Sequence, residues 1–207
     1  MNQKLMMLLS AILVVVLGVS GITFALLNAQ SQVKSNEFHP GVLTARIVEN
    51  GEEADHEEEL TPDGDQALKE VQVLNVNNPH EVDAYIRVML VPTFRTSEGS
   101  LAGNISLQPN GNQITITAPN GGEVILRLQS QWNTYWIFDN GAFYHREIVA
   151  PGETTAILLE GVEVSDSQLW NTFQLEVLSD AVQAESGAAE NAWGVTITDN
   201  GELSLTP

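Results

Sequence analysis

His56-Glu57-Glu58-Glu59-Leu60 is the stretch of this chain where a histidine and several carboxylates come closest to hydrolytic metal chemistry. A zinc-peptidase helix needs two histidines four residues apart, with a glutamate beside the first acting as base. Here Leu60 occupies the second ligand position, and no apolar helical face runs through the segment. His39, His80 and His145 are far apart and fall on turns and strands, so no zinc triad is expected. The chain has no cysteine, which excludes thiol nucleophiles and zinc-finger clusters. No Gly-x-Ser-x-Gly or Ser-x-x-Lys frames a serine nucleophile, and no glycine-rich loop opens a helix to hold phosphate. Hard-cation chemistry is left: Asp55, Glu57, Asp63 and Asp65 lie near a turn and would attract calcium weakly, without an EF-hand loop. We therefore expect no catalytic residue, no cofactor and no dedicated metal site, weak calcium association aside.

Trp132, Tyr135, Trp136, Phe138, Phe143 and Tyr144 offer flat apolar faces that could stack on sugars. At strand spacing such residues more often form cross-strand core pairs, and that is the expectation here. Asn140-Gly141 between the two aromatic runs is a strong hairpin signal, because both central residues of the tight turn need positive φ.

The elements that would carry these residues are strands. From Val42 onward the apolar pattern has period two, with turn clusters at short intervals and no long helical stretch. Strands are expected at residues 42–48, 68–76, 82–90, 105–107, 114–117, 124–128, 156–159 and 172–177. One or two edge strands follow in residues 194–207. In the most regular of them Val82, Ala84, Ile86, Val88 and Leu90 share one face. Residues 49–59 form an exposed acidic loop, since so many like charges cannot pack together. Residues 93–104 read as polar loop.

At the N-terminus Lys4 precedes an uncharged apolar run, and small residues follow: Gly18, Ser20, Gly21, Thr23 and Ala25. That order is an export signal, with Thr23 and Ala25 in the small pockets of signal peptidase and the cut before Leu26. Left uncut, the 23 uncharged residues from Leu5 to Leu27 are long enough to span a bilayer, the one membrane contact expected. Residues 1–25 are thus assigned as signal peptide, 26–41 as an N-terminal arm and 42–207 as a β-sandwich domain. Removing Lys4 and no acid takes the formal charge from −19 to −20. Such a surface repels nucleic acid and anionic lipid, so no nucleic-acid partner is expected. An apolar fraction of 43% is ample for a core.

Several blocks carry a family resemblance. Gly21-Ile22-Thr23-Phe24-Ala25-Leu26-Leu27-Asn28, then Asn36-Glu37-Phe38-His39-Pro40-Gly41-Val42-Leu43, resembles the opening of the SipW-dependent exported proteins. That family includes the biofilm fibre protein TasA and camelysin. Thr61-Pro62-Asp63-Gly64, Asn75-Val76-Asn77 and Asp83-Ala84-Tyr85-Ile86-Arg87-Val88 resemble its next block, with Asn78-Pro79 replacing the usual glycine turn. The aromatic hairpin with Pro151-Gly152-Glu153-Thr154-Thr155, and Gln183-Ala184-Glu185 through Ala192-Trp193, resemble its later blocks, the last closing through one short helix. The matches run in order over residues 18–92 and 132–194.

The expected fold is all-β, a two-sheet β-sandwich of jelly-roll type preceded by an N-terminal signal helix. In the arm Leu27, Ala29, Ser31 and Val33 share a face, so it reads as a donor strand for the open sheet edge of a neighbour. The resemblance implies fibres built in this way. The expected function is a secreted structural protein of the extracellular matrix or cell surface of a bacterium. Its partners would be further copies or related matrix proteins, and signal peptidase during export. The alternatives are a camelysin-like surface metallopeptidase and a non-catalytic β-sandwich that binds sugar or protein. No sorting motif of the LPxTG type or second apolar span stands near Pro207, so wall attachment by that route is not expected.

Overall fold

In the computed structural model, which describes residues 43–53, 60–95, 105–185 and 187–205, nearly every element is a strand. In chain order these are β1 (Ala45–Glu49), β2 (Glu52–Glu53), β3 (Pro62–Asp63), β4 (Gln66–Asn75) and β5 (Ala84–Phe94). Then come β6 (Gln113–Thr117), β7 (Glu123–Leu128), β8 (Trp136–Asp139) and β9 (Ala142–His145). The series ends with β10 (Leu159–Val164), β11 (Phe173–Gln183), β12 (Thr196–Ile197) and β13 (Leu203–Ser204). The protein is all-β, and its paired strands run antiparallel.

Two sheets share the main core. The larger has the order β2-β1-β4-β10-β7-β6, with β3 also on β4; the smaller has the order β11-β5-β9-β8. Val71, Val73, Val124, Leu126 and Leu159 from the first meet Ile86, Val88, Leu90, Phe143 and Leu175 from the second. The chain crosses between the sheets five times, and two of these crossings, from β4 to β5 and from β10 to β11, start from opposite ends of neighbouring strands. The departing strands β4 and β10 pair with each other, as do the arriving strands β5 and β11. A second, smaller cluster lies on the other face of the small sheet. There the short helix Ala188–Trp193 and the β12–β13 hairpin bring Ala189, Val195 and Leu203 onto Tyr85, Ile137 and Tyr144. Tyr85 donates from its hydroxyl to the Gly201 carbonyl at 2.9 Å.

Alternation, rather than residue type, sets which side chains are inside. On β4, Ala67, Lys69, Val71, Val73 and Asn75 are buried while Leu68 is 63% exposed. Lys69 is accommodated by an ion pair with the equally buried Glu49 of β1. On β10 the register shifts between Leu159 and Gly161, and a Cβ at Gly161 would stand 2.9 Å from the Ala67 carbonyl oxygen. Glycine is therefore what lets β10 lie against β4 at this bulge.

Several expectations need correction. Residues 105–107 form no strand: Leu107 is buried and Ile105 packs on the core, so their alternation serves contact without a ladder. The strand expected at 156–159 begins where that run ends, at Leu159, because residues 155–158 bond to β4 through single contacts such as Thr155 N–H to Val73 O at 2.9 Å. The first aromatic run opens with a helical turn, Trp132–Tyr135, and becomes a strand only at Trp136. Gln129 holds that turn, its carbonyl accepting from Trp132 N–H at 2.9 Å. β5 and β11 are longer than expected, running on to Phe94 and Gln183. Among the described residues no helix is long and apolar enough to cross a membrane.

Candidate functional site

The residues assigned to signal-peptidase cleavage (Thr23, Ala25, Leu26) and to the donor strand (Leu27, Ala29, Ser31, Val33) lie outside the described residues. So do His39, Asp55, His56 and the glutamates that follow it. Asp63 and Asp65 are exposed on either side of Gly64 in the β3–β4 turn. His80 is exposed in a turn with a left-handed φ of 71°, whereas His145 is buried. Both ring nitrogens of His145 are engaged: Nε2 accepts from Ala156 N–H at 3.2 Å, so Nδ1 donates to the Glu147 carbonyl at 2.9 Å. Burial lowers its pKa from the ordinary histidine value, outweighing the opposing bond and charge of Glu147. Among the described residues no three His, Asp or Glu side chains gather around a common point.

The aromatic hairpin belongs to the core. Trp136, Phe143 and Tyr144 are buried, Trp132 meets Phe143 edge-on at 5.6 Å, and Phe138 lies 4.8 Å from Phe143. Its turn, Asn140-Gly141, has positive φ at both positions, 49° and 83°, as the sequence requires. Only Tyr135 is left with much of its ring exposed.

What an arm could bind is a sheet edge, and two stretches of edge are long enough to matter. β11 pairs with β5 over eleven consecutive positions without a bulge, and no strand among the described residues pairs with its other side. The register fixes which groups face outward. Arg95 N–H donates to Thr172 O at 2.8 Å and Ala184 N–H to Asp83 O at 2.8 Å, so even-numbered residues of β11 turn their peptide groups toward β5. Phe173, Leu175, Val177, Ser179 and Ala181 therefore present N–H and C=O at the free edge, while their side chains face the core. β11 contains no proline, lysine or arginine, the residues that usually blunt such an edge. β1 lies alongside β11 where the two sheets meet. Ala45 and Ile47 of β1 and Ala181 of β11 are only half-buried, though they pack on the core.

The second stretch is half of β5. β9 pairs with β5 only at Arg87 and Val88, and beyond Val88 that side borders a cleft of about 980 Å³ lined by Leu90, Pro92, Leu107, Phe138 and Asn140 among others. The same register turns the peptide groups of Leu90, Pro92 and Phe94 into this cleft. Pro92 has no N–H to offer, so a ladder here would lose a bond at its centre. β5 thus carries the protection that β11 lacks.

Sequence reasoning named a donor strand and no acceptor. The run from Phe173 to Gln183 was visible in part, but its place at an edge depends on sheet order, which no local pattern encodes. No protein-family model, curated protein or solved structure matches the chain.

Proposed function

We propose that this is an exported structural protein of a bacterial matrix or cell surface, assembling when the arm of one copy, residues 26–41, pairs along β11 of the next. The edge of β11 from Phe173 to Ala181, which no strand among the described residues pairs with, supports this reading best. Net of water, each ladder bond contributes about 0.5–1.5 kcal/mol, and each buried Leu or Val about 1.5–3 kcal/mol. Leu27, Ala29, Ser31 and Val33 would continue the inward row of Phe173, Leu175 and Val177 across the half-buried margin at Ala45 and Ile47. The contact joins two different surfaces and does not close, so repetition gives a filament. The jelly-roll form of the sandwich belongs to the same proposal, and the pairing of β4 with β10 in one sheet and of β5 with β11 in the other supports it.

Electron microscopy and sedimentation of the processed chain, beginning at Leu26, test the reading. Filaments are expected from it, and none from a chain beginning at Asn36, which lacks the apolar arm face. Ser179→Pro isolates the acceptor, because Ser179 N–H points away from β5 and its loss leaves the internal ladder whole. That variant should melt like the parent and fail to assemble. Filaments from the Asn36 chain, or from a folded Ser179→Pro protein, would discard the exchange along β11.

A further inference from the structure

Near the start of β1 two oxygen atoms sealed from solvent have no hydrogen-bond partner among the described residues: Oδ1 of the buried Asn75 and Oε2 of the half-buried Glu81. A closed set of contacts gathers the residues that carry them. Asn75 has no exposed surface, and its Nδ2 donates to the carbonyls of Val82 and Val149, each at 2.9 Å. Those two bonds fix the amide orientation and leave Oδ1 on the other side. The bond to Val82 also brings the neighbouring Glu81 to Asn75. Glu81 Oε1 accepts from Thr44 N–H, and the Thr44 carbonyl accepts from Val76 N–H at 2.9 Å. Thr44, Asn75-Val76 and Glu81-Val82 thus close a ring, with both orphan oxygens on its members. Among the described residues Glu81 has no ion-pair partner.

A buried carboxylate oxygen without a donor or a counter-charge is strongly unfavourable, and native folds rarely keep one. A water molecule would leave the carboxylate charge uncompensated. A hard divalent cation supplies that charge, and calcium takes mixed carboxylate, amide and carbonyl oxygens in loose geometry, with water completing its shell. We infer that Asn75 Oδ1 and the Glu81 carboxylate form a calcium site that ties the start of β1 to the β4–β5 connection. With a single carboxylate it belongs to the weak class, with a dissociation constant on the order of 10⁻⁴–10⁻³ M, matched to extracellular calcium. The inference does not rest on strand exchange, and its readout is stability.

The test uses the processed chain beginning at Leu26, held where sedimentation shows a monomer. About 10 mM calcium should raise Tm by about 3–10 °C, with a much smaller rise in magnesium at equal ionic strength. Glu81→Gln keeps the acceptor for Thr44 N–H and removes the charge. It should lower calcium affinity at least about tenfold by calorimetry, since a carboxylate is the only charged ligand. Should that variant not fold, amide shifts of the unaltered protein decide: calcium should move Thr44, Asn75 and Glu81 first. An equal calcium response in folded Glu81→Gln, shifts spread over the acidic surface, or no response in the parent would overturn the site, leaving at most a sealed water.

Discussion

At the scale of single residues, His145 shows how burial fixes a protonation state. Ala156 N–H points at Nε2, so a second proton would lose that bond and place a charge beside Trp136, whose ring stands edge-on 5.0 Å away. The folded pKa therefore lies below the unfolded value of about 6.5, and the neutral ring favours folding. The sign follows: the contribution is fully present above about pH 6.5 and is lost as pH falls toward and through the folded pKa, because only the unfolded chain gains the proton. Urea melts between about pH 7 and 5 should show stability falling more steeply in the parent than in His145→Gln, by at most about 1.4 kcal/mol per pH unit. Parallel slopes would mean that His145 titrates normally in the fold. Lys69 teaches the complementary lesson. The phase that buries Val71 and Val73 also forces Lys69 inward and Leu68 outward, and a one-residue slip would expose the whole apolar row. The Glu49 carboxylate makes that arrangement tolerable, and removing either partner alone would strand a buried charge.

At the scale of elements, a strand's environment is decided by its neighbours as much as by its own pattern. Gly161 is the clearest case. The β10 bulge brings its Cα against the Ala67 carbonyl, a backbone atom that cannot rotate away. Gly161→Ala should cost about 1–3 kcal/mol, seen as a lower urea midpoint with an unchanged slope. An unchanged midpoint would mean that the bulge yields freely and that glycine there is incidental. Much of the sandwich was legible from the sequence: the alternation of β4, β5, β6 and β7 and the Asn140-Gly141 hairpin are local signals, whereas the closing helix was expected only from the family resemblance. Residues 105–107 and Trp132–Tyr135 misled for one reason, since apolar spacing reports a buried face but not whether a ladder partner stands beside it. The candidate sites were less legible still. Asn75 and Glu81 meet through Thr44, thirty-odd residues away, and β11 is an edge because no strand among the described residues pairs with its other side. Pro92 was the one readable hint, because proline inside a strand marks an unpaired side.

At the scale of the whole molecule, charge would oppose the assembly proposed along the β11 edge. A copy cut before Leu26, as proposed, would have a formal charge of −20, so two such copies approaching edge to arm would repel before any ladder bond formed. The arm is the exception: Lys34 and Glu37 are the only charged side chains in residues 26–41, and they cancel. Under the proposed exchange, a neutral arm would let contact begin at a distance from the repelling surfaces. Extended, sixteen residues span roughly 50 Å, several screening lengths at about 0.1 M salt. Assembly of the processed chain should therefore quicken markedly, by an order of magnitude or more in rate, as sodium chloride rises from about 20 to 200 mM, where the screening length falls below about 10 Å. The rate should also rise with protein concentration. An arm that instead folds back on β11 of its own copy meets no second acidic body, and its pairing would be first-order and nearly indifferent to salt. Light scattering across both variables distinguishes the two: a flat response to salt and to concentration would assign the arm to its own subunit and leave β11 closed to neighbours.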